Sequence, residues 1–282
     1  MRIPGRRILA ALSALCVLGG AAFLFWWHRP VEGLEAWRSG QPPERWALWR
    51  QTERRLRAEG RPPRLDWSWV PLEEVSLEMQ AAVVAAEDIG FFHHHGIDWT
   101  AVQEALQEWL KGKGLRGAST ITQQLAKNLF LTGERTLFRK LQEARLARAL
   151  EIKLGKKRIL ELYLNVIEFG DARLGVEAAA RFYYGVSAAR LDPVQAAGLA
   201  ASIPSPRRDN PASRTRAWTF REAEVTGRLD DIGWLERRLL RLYPDSTAAR
   251  LAAAAAAPVD TTTYDLPPPV AIPPDTVEVF RW

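Results

Sequence analysis

Apolar and polar positions divide the chain into stretches of different character. From Ile8 to Trp27, twenty consecutive residues carry no charge. At helical rise they cover about 30 Å, the thickness of a bilayer's hydrocarbon core, so the pattern predicts a transmembrane helix. Val31–Trp69 then mixes arginines with five tryptophans, Trp37, Trp46, Trp49, Trp67 and Trp69. Within it Arg45–Glu59 reads as a helix that Pro62-Pro63 ends. Such a mixture suits either the headgroup zone of a membrane or a connector packed on the main domain. Pro71 is expected to open the next helix, through Met79, Val83 and Ala86 to Glu87-Asp88. Helical spacing continues at Leu137, Leu141, Ala144 and Leu150, then at Ile159, Leu160, Tyr163 and Ile167. No alternating strand pattern and no Asn-Gly hairpin signal is evident, so the fold class expected is mostly α. From Leu251 an Ala run gives way to TTTYDLPPPVAIPPD, a composition that builds no core and is expected to be disordered or extended. The division expected is a cytoplasmic N-terminus over 1–7, an anchor over 8–27 and a juxtamembrane segment over 28–70. The main domain over 71–245 and a tail over 246–282 complete it.

Charge refines this picture. Arg2, Arg6 and Arg7 precede the apolar span and Trp26-Trp27 close it. The positive-inside rule then leaves the N-terminus in the cytoplasm and everything after the span on the outer face of the inner membrane. A cleaved signal peptide is the rival, but its apolar region is usually shorter. The net charge of +6 is uneven: Lys111–Arg158 holds thirteen Lys/Arg against three Glu, a local net of +10. That concentration implies an anionic partner, and the outward topology excludes nucleic acid. Cys16 is the single cysteine and lies in the span, so no intrachain disulfide and no cysteine-ligated metal is expected.

Candidate chemistry gathers at three places. Ala81–Ala86 is an unbroken apolar run that Glu87 follows directly. A carboxylate desolvated in this way has a raised pKa, which suits a general acid or base. Asp88 beside it could orient it or bind a cation. Acids at a helix C-terminus oppose the macrodipole by about 0.3–1 kcal/mol when exposed, so the placement asks for a compensating reason. The His93-His94-His95 run has no ligand spacing and no metal site is assigned; a hydrogen-bonded core histidine is expected instead. The second place is Arg116–Asn128, RGASTITQQLAKN. Thr120 and Gln123 have the spacing of a capping box, so a helix is expected to start there. Thr120, Gln123, Gln124 and Lys127 then share one face, and Ile121, Leu125 and Leu129 the other. Exposed N–H groups at the helix start, with Arg116 and Lys127, favour a phosphate or pyrophosphate. A wet amphipathic face explains the same spacing without function. The third place is Glu143, with Arg139 and Lys140 one turn before it. Routine helix ion pairs, about 0.2–0.5 kcal/mol each, and a pyrophosphate-binding pair fit equally.

Taken in order, these pieces resemble the peptidoglycan glycosyltransferases of glycosyltransferase family 51 in their monofunctional, membrane-anchored form. The matching residues are Glu87-Asp88, Phe91, His94 and Gly96, then Gly117, Ser119-Thr120-Ile121, Gln123-Gln124 and Lys127-Asn128. Arg139-Lys140 and Glu143 follow, then Ile159-Leu160-Glu161 and Tyr163-Leu164-Asn165. Gly175, Ala178-Ala179, Tyr183-Tyr184-Gly185, Pro204, Pro206 and Asn210-Pro211 complete the series. Gln195 stands where the family often has Glu, and Val186 where Lys commonly follows the glycine. No Ser-x-x-Lys occurs, so no transpeptidase domain is expected.

The resemblance implies a lysozyme-like helical glycosyltransferase domain behind a single transmembrane helix, with a subdomain that touches the membrane. It implies lipid II and a lipid-linked glycan chain as substrates, the membrane as a partner and other cell-wall synthesis proteins as companions. Glu87 and Glu143 would be catalytic. Glu87 would act as base, and Glu143 would orient cations or hold a divalent ion. Asp88, Arg116, Ser119, Thr120, Gln123, Gln124, Lys127, Asn128, Arg139 and Lys140 would bind substrate. No cofactor is required by the sequence; Mg2+ or another divalent cation is compatible with it. Two alternatives fit parts of the pattern: an inactive scaffold of the cell-wall machinery, and a lysozyme-like glycan-cleaving enzyme.

Overall fold

Burial of apolar helix faces organises the chain. The computed structural model describes residues 5–40, 45–113, 117–133, 136–230 and 233–256, without side chains for 5–9, 11 and 230. The first helix, α1, is Gly5–His28, and α2 is Ala47–Ala58, close to the span expected before Pro62-Pro63. The strand β1, Asp66–Trp67, precedes α3, Leu77–Glu87. Here the expectation is corrected. Pro71 opens only a 3-10 turn over Leu72–Glu74, and α3 starts later because Ser76 caps it, its side chain accepting from Met79 N–H at 3.2 Å. The chain continues through α4, Trp99–Leu110, α5, Ile121–Phe130, and α6, Leu137–Val166. Strands β2, Glu168–Gly170, and β3, Arg173–Leu174, lead to α7, Val176–Tyr184, and α8, Pro193–Ser202. Helices α9, Arg216–Asp230, α10, Gly233–Leu240, and α11, Asp245–Ala255, end the described chain.

The mostly helical expectation stands, with one addition. The three strands form a small sheet in the order β1-β3-β2, β1 parallel and β2 antiparallel to β3. Elements of two or three residues are too short to display a period of two, so the pattern could not announce them.

Helix α3 is the central element. Leu77 and Met79–Ala85 are all buried, and α8, α9, α10 and α11 pack around them. Helix α6 lies along α5 and is broken at Gly155, whose φ of 74° and ψ of 166° are outside any helix. The break directs two different halves. The first carries Arg139, Lys140 and Glu143 past α5; the second sends Ile159, Leu160 and Tyr163 fully into the core. The described residues of 31–40 and 45–70 include several that pack on the helical body. Leu34, Trp37 and Trp46 are buried, Trp46, Trp49 and Trp67 meet edge to face, and Asn165 Nδ2 donates to Val70 O at 2.8 Å.

Among the described residues no helix is long and apolar enough to cross a membrane. The expected span over Ile8–Trp27 is only partly covered, because the side chains of Ile8, Leu9 and Ala11 lie outside the described ones. Residues 257–282, most of the expected tail, lie outside them as well.

Candidate active site

The C-terminal end of α3 meets the N-terminal end of α5. Helix α3 finishes at Glu87, and Asp88 leaves the helix with φ −162° and ψ 72°. Helix α5 begins at Thr120 with the reciprocal capping box that its sequence foretells. Thr120 Oγ1 accepts from Gln123 N–H at 3.1 Å, and Gln123 Oε1 accepts from Thr120 N–H at 3.0 Å. Asp88 joins the two ends, its Oδ2 accepting from Ile121 N–H at 2.9 Å. An acid misplaced at one helix's C-terminus is thereby well placed at another's N-terminus, which answers the macrodipole objection. His94, buried as expected, donates from Nε2 to Asp88 at 3.0 Å, while its Nδ1 accepts from Gly96 N–H at 3.1 Å. Those two bonds together define one tautomer. Thr120 Oγ1 also donates to Gly96 O at 2.7 Å, closing the loop onto α5.

Glu87 is held differently. Burial pushes its carboxyl above the usual carboxylate range, and the Asp88 charge adds to that. A hydrogen bond from Gln124 and the charges of Lys127 and Arg221 oppose the rise. The bond runs from Gln124 Nε2 to Glu87 Oε2 at 2.7 Å, and Tyr163 donates its hydroxyl to Gln124 Oε1 at 2.9 Å. Arg228, from α9, donates to Ala85 O at 2.9 Å and satisfies a carbonyl of the last turn of α3.

Glu87 opens into a cleft of about 290 Å3 between the start of α4 and the 117–120 loop, lined also by Asp98, Glu104, Ser119, Thr120 and Arg228. At its edge Lys140 Nζ donates to Ser119 Oγ at 2.8 Å and pairs with Glu143, which is buried. A second cleft, between α2 and the α5–α6 junction, is lined by Gln51, Lys127, Asn128 and Arg139. Among the described residues Arg139 Nε is buried with no hydrogen-bond partner.

The residues expected at the site therefore divide. Glu87, Asp88, Ser119 and Thr120 line one cleft; Lys127, Asn128 and Arg139 line the other; Gln124 touches Glu87, and Lys140 with Glu143 reaches Ser119. Arg116 lies outside the described residues. Thr120 and Gln123 spend their polar groups on the capping box, and Asp88 on α5 and His94, so these three hold the site's backbone together. Sequence reasoning named Tyr163 only as a patterned motif residue with no role at the site, and missed Arg228. Tyr163 sits in a helical apolar pattern that registers its ring and hides its hydroxyl. Arg228 is 141 positions from Glu87 with no spacing to link them. Gln195, the departure from Glu, completes a capping box with Asp192 at the start of α8, a task Glu performs equally.

The sequence profile of the family described as Transglycosylase matches residues 57–230. A biosynthetic peptidoglycan transglycosylase of Azoarcus sp. (strain BH72) is 44% identical over 205 residues, 72% of this chain and 85% of that protein. One from Bordetella pertussis (strain Tohama I / ATCC BAA-589 / NCTC 13251) is 45% identical over 235 residues, 81% of this chain and 95% of the relative. One from Nitrosospira multiformis (strain ATCC 25196 / NCIMB 11849 / C 71) reaches 51% over 153 residues, 54% of this chain and 66% of its own length.

Proposed function

The chain belongs to the transglycosylase family and is a peptidoglycan glycosyltransferase of cell-wall synthesis, and on that premise we propose how its residues work. Glu87 is the general base. It removes the proton from the 4-hydroxyl of the acceptor's GlcNAc, on lipid II, and that oxygen attacks C1 of the MurNAc at the end of the lipid-linked glycan chain. The glycosidic bond forms with inversion, and undecaprenyl pyrophosphate departs. Lys127, Arg139, Lys140 and Arg116 offset the charge that develops on the leaving pyrophosphate. Glu143 holds Lys140 towards Ser119.

One observation carries this reading: a desolvated carboxyl whose pKa burial raises, given a single amide donor and a neighbouring cation, at the mouth of a cleft. Among the described residues the buried Nε of Arg139, which lines the second cleft with Lys127, has no hydrogen-bond partner; that supports an anionic ligand there, since buried donors are rarely left without an acceptor. For a divalent ion the donor set is a poor fit. Glu143 is already paired with Lys140, and among the described residues no three His, Cys, Asp or Glu side chains converge.

In the same reading α1 anchors the domain in the cytoplasmic membrane, with the glycosyltransferase domain over 71–245 on the outer face. Apolar side chains of α1 such as Leu15, Val17, Leu18 and Phe25 are exposed among the described residues. The helix ends against α6, where Trp26 stacks on Phe138 and Arg145 lies 5.1 Å over the Trp26 ring. Trp99, Trp109 and Leu110 on α4 and Leu137 on α6 are exposed too, a surface suited to a bilayer that carries lipid-linked substrates.

The test is incubation of the detergent-solubilised protein with labelled lipid II and resolution of the products on a gel. Wild type should give glycan ladders. Glu87→Gln should give none while remaining folded. Turnover retained in that variant overturns the assignment of the base.

A further inference from the structure

Proton abstraction uses one carboxylate oxygen of Glu87, so the other must be held. Gln124 holds Oε2 through Nε2. A glutamine amide has two ends of nearly equal shape, one a donor and one an acceptor. Turned over, Gln124 would point a carbonyl oxygen at a carboxylate and repel it. The residue that selects the orientation is Tyr163. Its hydroxyl donates to Gln124 Oε1 at 2.9 Å, and its ring is fully buried in the second half of α6. Burial, then the charges of Glu87 and Asp88, push the phenol far above its ordinary range, so it stays a protonated donor at every pH the enzyme meets. The ring is fixed by core neighbours rather than by the substrate, so the bond exists before anything binds.

We infer that Tyr163 is a positioning residue: by donating to Gln124 Oε1 it locks the amide with Nε2 towards Glu87, which secures the ionised base on Oε2 and leaves Oε1 to take the proton. This rests on the reading of Glu87 as base. The relay opposes the desolvation that the cleft imposes. Without it Glu87 would be protonated over more of the working pH range, and the fraction of enzyme able to abstract a proton would fall.

The experiment is the pH dependence of kcat for lipid II polymerisation by the full chain, wild type and Tyr163→Phe. Phe fills the same space and removes only the hydroxyl. Loss of a stabilising donor to the charged form should move the acid limb of the profile up by about one pH unit, with about tenfold less turnover on that limb. The alkaline plateau and KM should hold. In a Gln124→Leu background the limb should already have moved, and Tyr163→Phe should move it no further. A uniform loss across all pH values, or a second full shift in the Gln124→Leu background, overturns the relay. Should Tyr163→Phe not fold, Gln124→Leu alone must carry the shift, and an unmoved limb there overturns it equally. Glu87→Gln run beside these separates the two ideas: turnover in that variant removes the base itself. An inactive Glu87→Gln beside an unmoved Tyr163→Phe removes only the relay.

Discussion

A carboxyl that is useful to the reaction is a burden to the fold. The folded-state pKa of Glu87 lies above its unfolded value because burial disfavours the charge. The native state therefore binds this proton more readily than the unfolded chain does. The contribution to stability is fully present below the ordinary carboxylate pKa and is lost as pH rises through the folded value. Glu87→Gln, which removes the charge at almost constant shape, is expected to unfold at a higher temperature than wild type near neutral pH. That advantage should vanish in acid, and thermal melts of both proteins across pH check it. A wild type that is the more stable at neutral pH would show that Gln124 and the nearby cations outweigh the desolvation. Asp88, one residue on, is buried among donors, and its bonds to Ile121 N–H and His94 tie α3 to α5. Adjacent acids in the sequence thus serve different ends, and only their neighbours in space distinguish them.

Among the elements, α6 shows how one residue allots tasks. The apolar spacing reads as helical from Leu137 to Leu150 and again from Ile159, and helix lies on either side of Gly155. At that position φ of 74° with ψ of 166° belongs to a region nearly closed to residues with a Cβ. Beyond its own turn of chain, no atom of the described residues lies within 4 Å of the place where a Cβ would sit. The cost of Gly155→Ala is therefore backbone strain alone, expected at about 1–3 kcal/mol and measurable by denaturant unfolding. A neutral substitution would mean that the two halves can realign as one helix. Helix α5 illustrates the converse, since its start was legible down to the residue: Thr120 and Gln123 form the capping box their spacing requires. The start of α3 was not, because Pro71 and Ser76 are both good opening residues; Pro71 opens only a 3-10 turn, and the helix begins where Ser76 accepts from Met79 N–H.

Taken whole, the molecule joins a basic catalytic body to an apolar N-terminal helix. If α1 spans the bilayer as proposed, alkaline carbonate washing of membranes should leave the full chain in the pellet and detergent should release it. Release by carbonate alone would reduce α1 to a surface contact. The Trp-rich segment after it had two readings in the sequence, headgroup or connector. Burial of Trp37 and Trp46, with Arg158 Nε donating to Trp37 O at 2.7 Å, places those residues on the protein.

The sequence by itself determined the helical class, the apolar N-terminal stretch, the basic middle and the acid after an apolar run, because periodicity, length and charge are local properties. It also carried the ordered motifs through which the family could be known. The three short strands, the break at Gly155, the split of the expected polar residues between two clefts and the Tyr163–Gln124–Glu87 chain were decided by tertiary structure alone. Strand β1 pairs with β3 across 107 positions, Tyr163 and Gln124 are 39 apart and Gln124 and Glu87 37, and a hydroxyl or amide declares a role only when its partner is within hydrogen-bond reach.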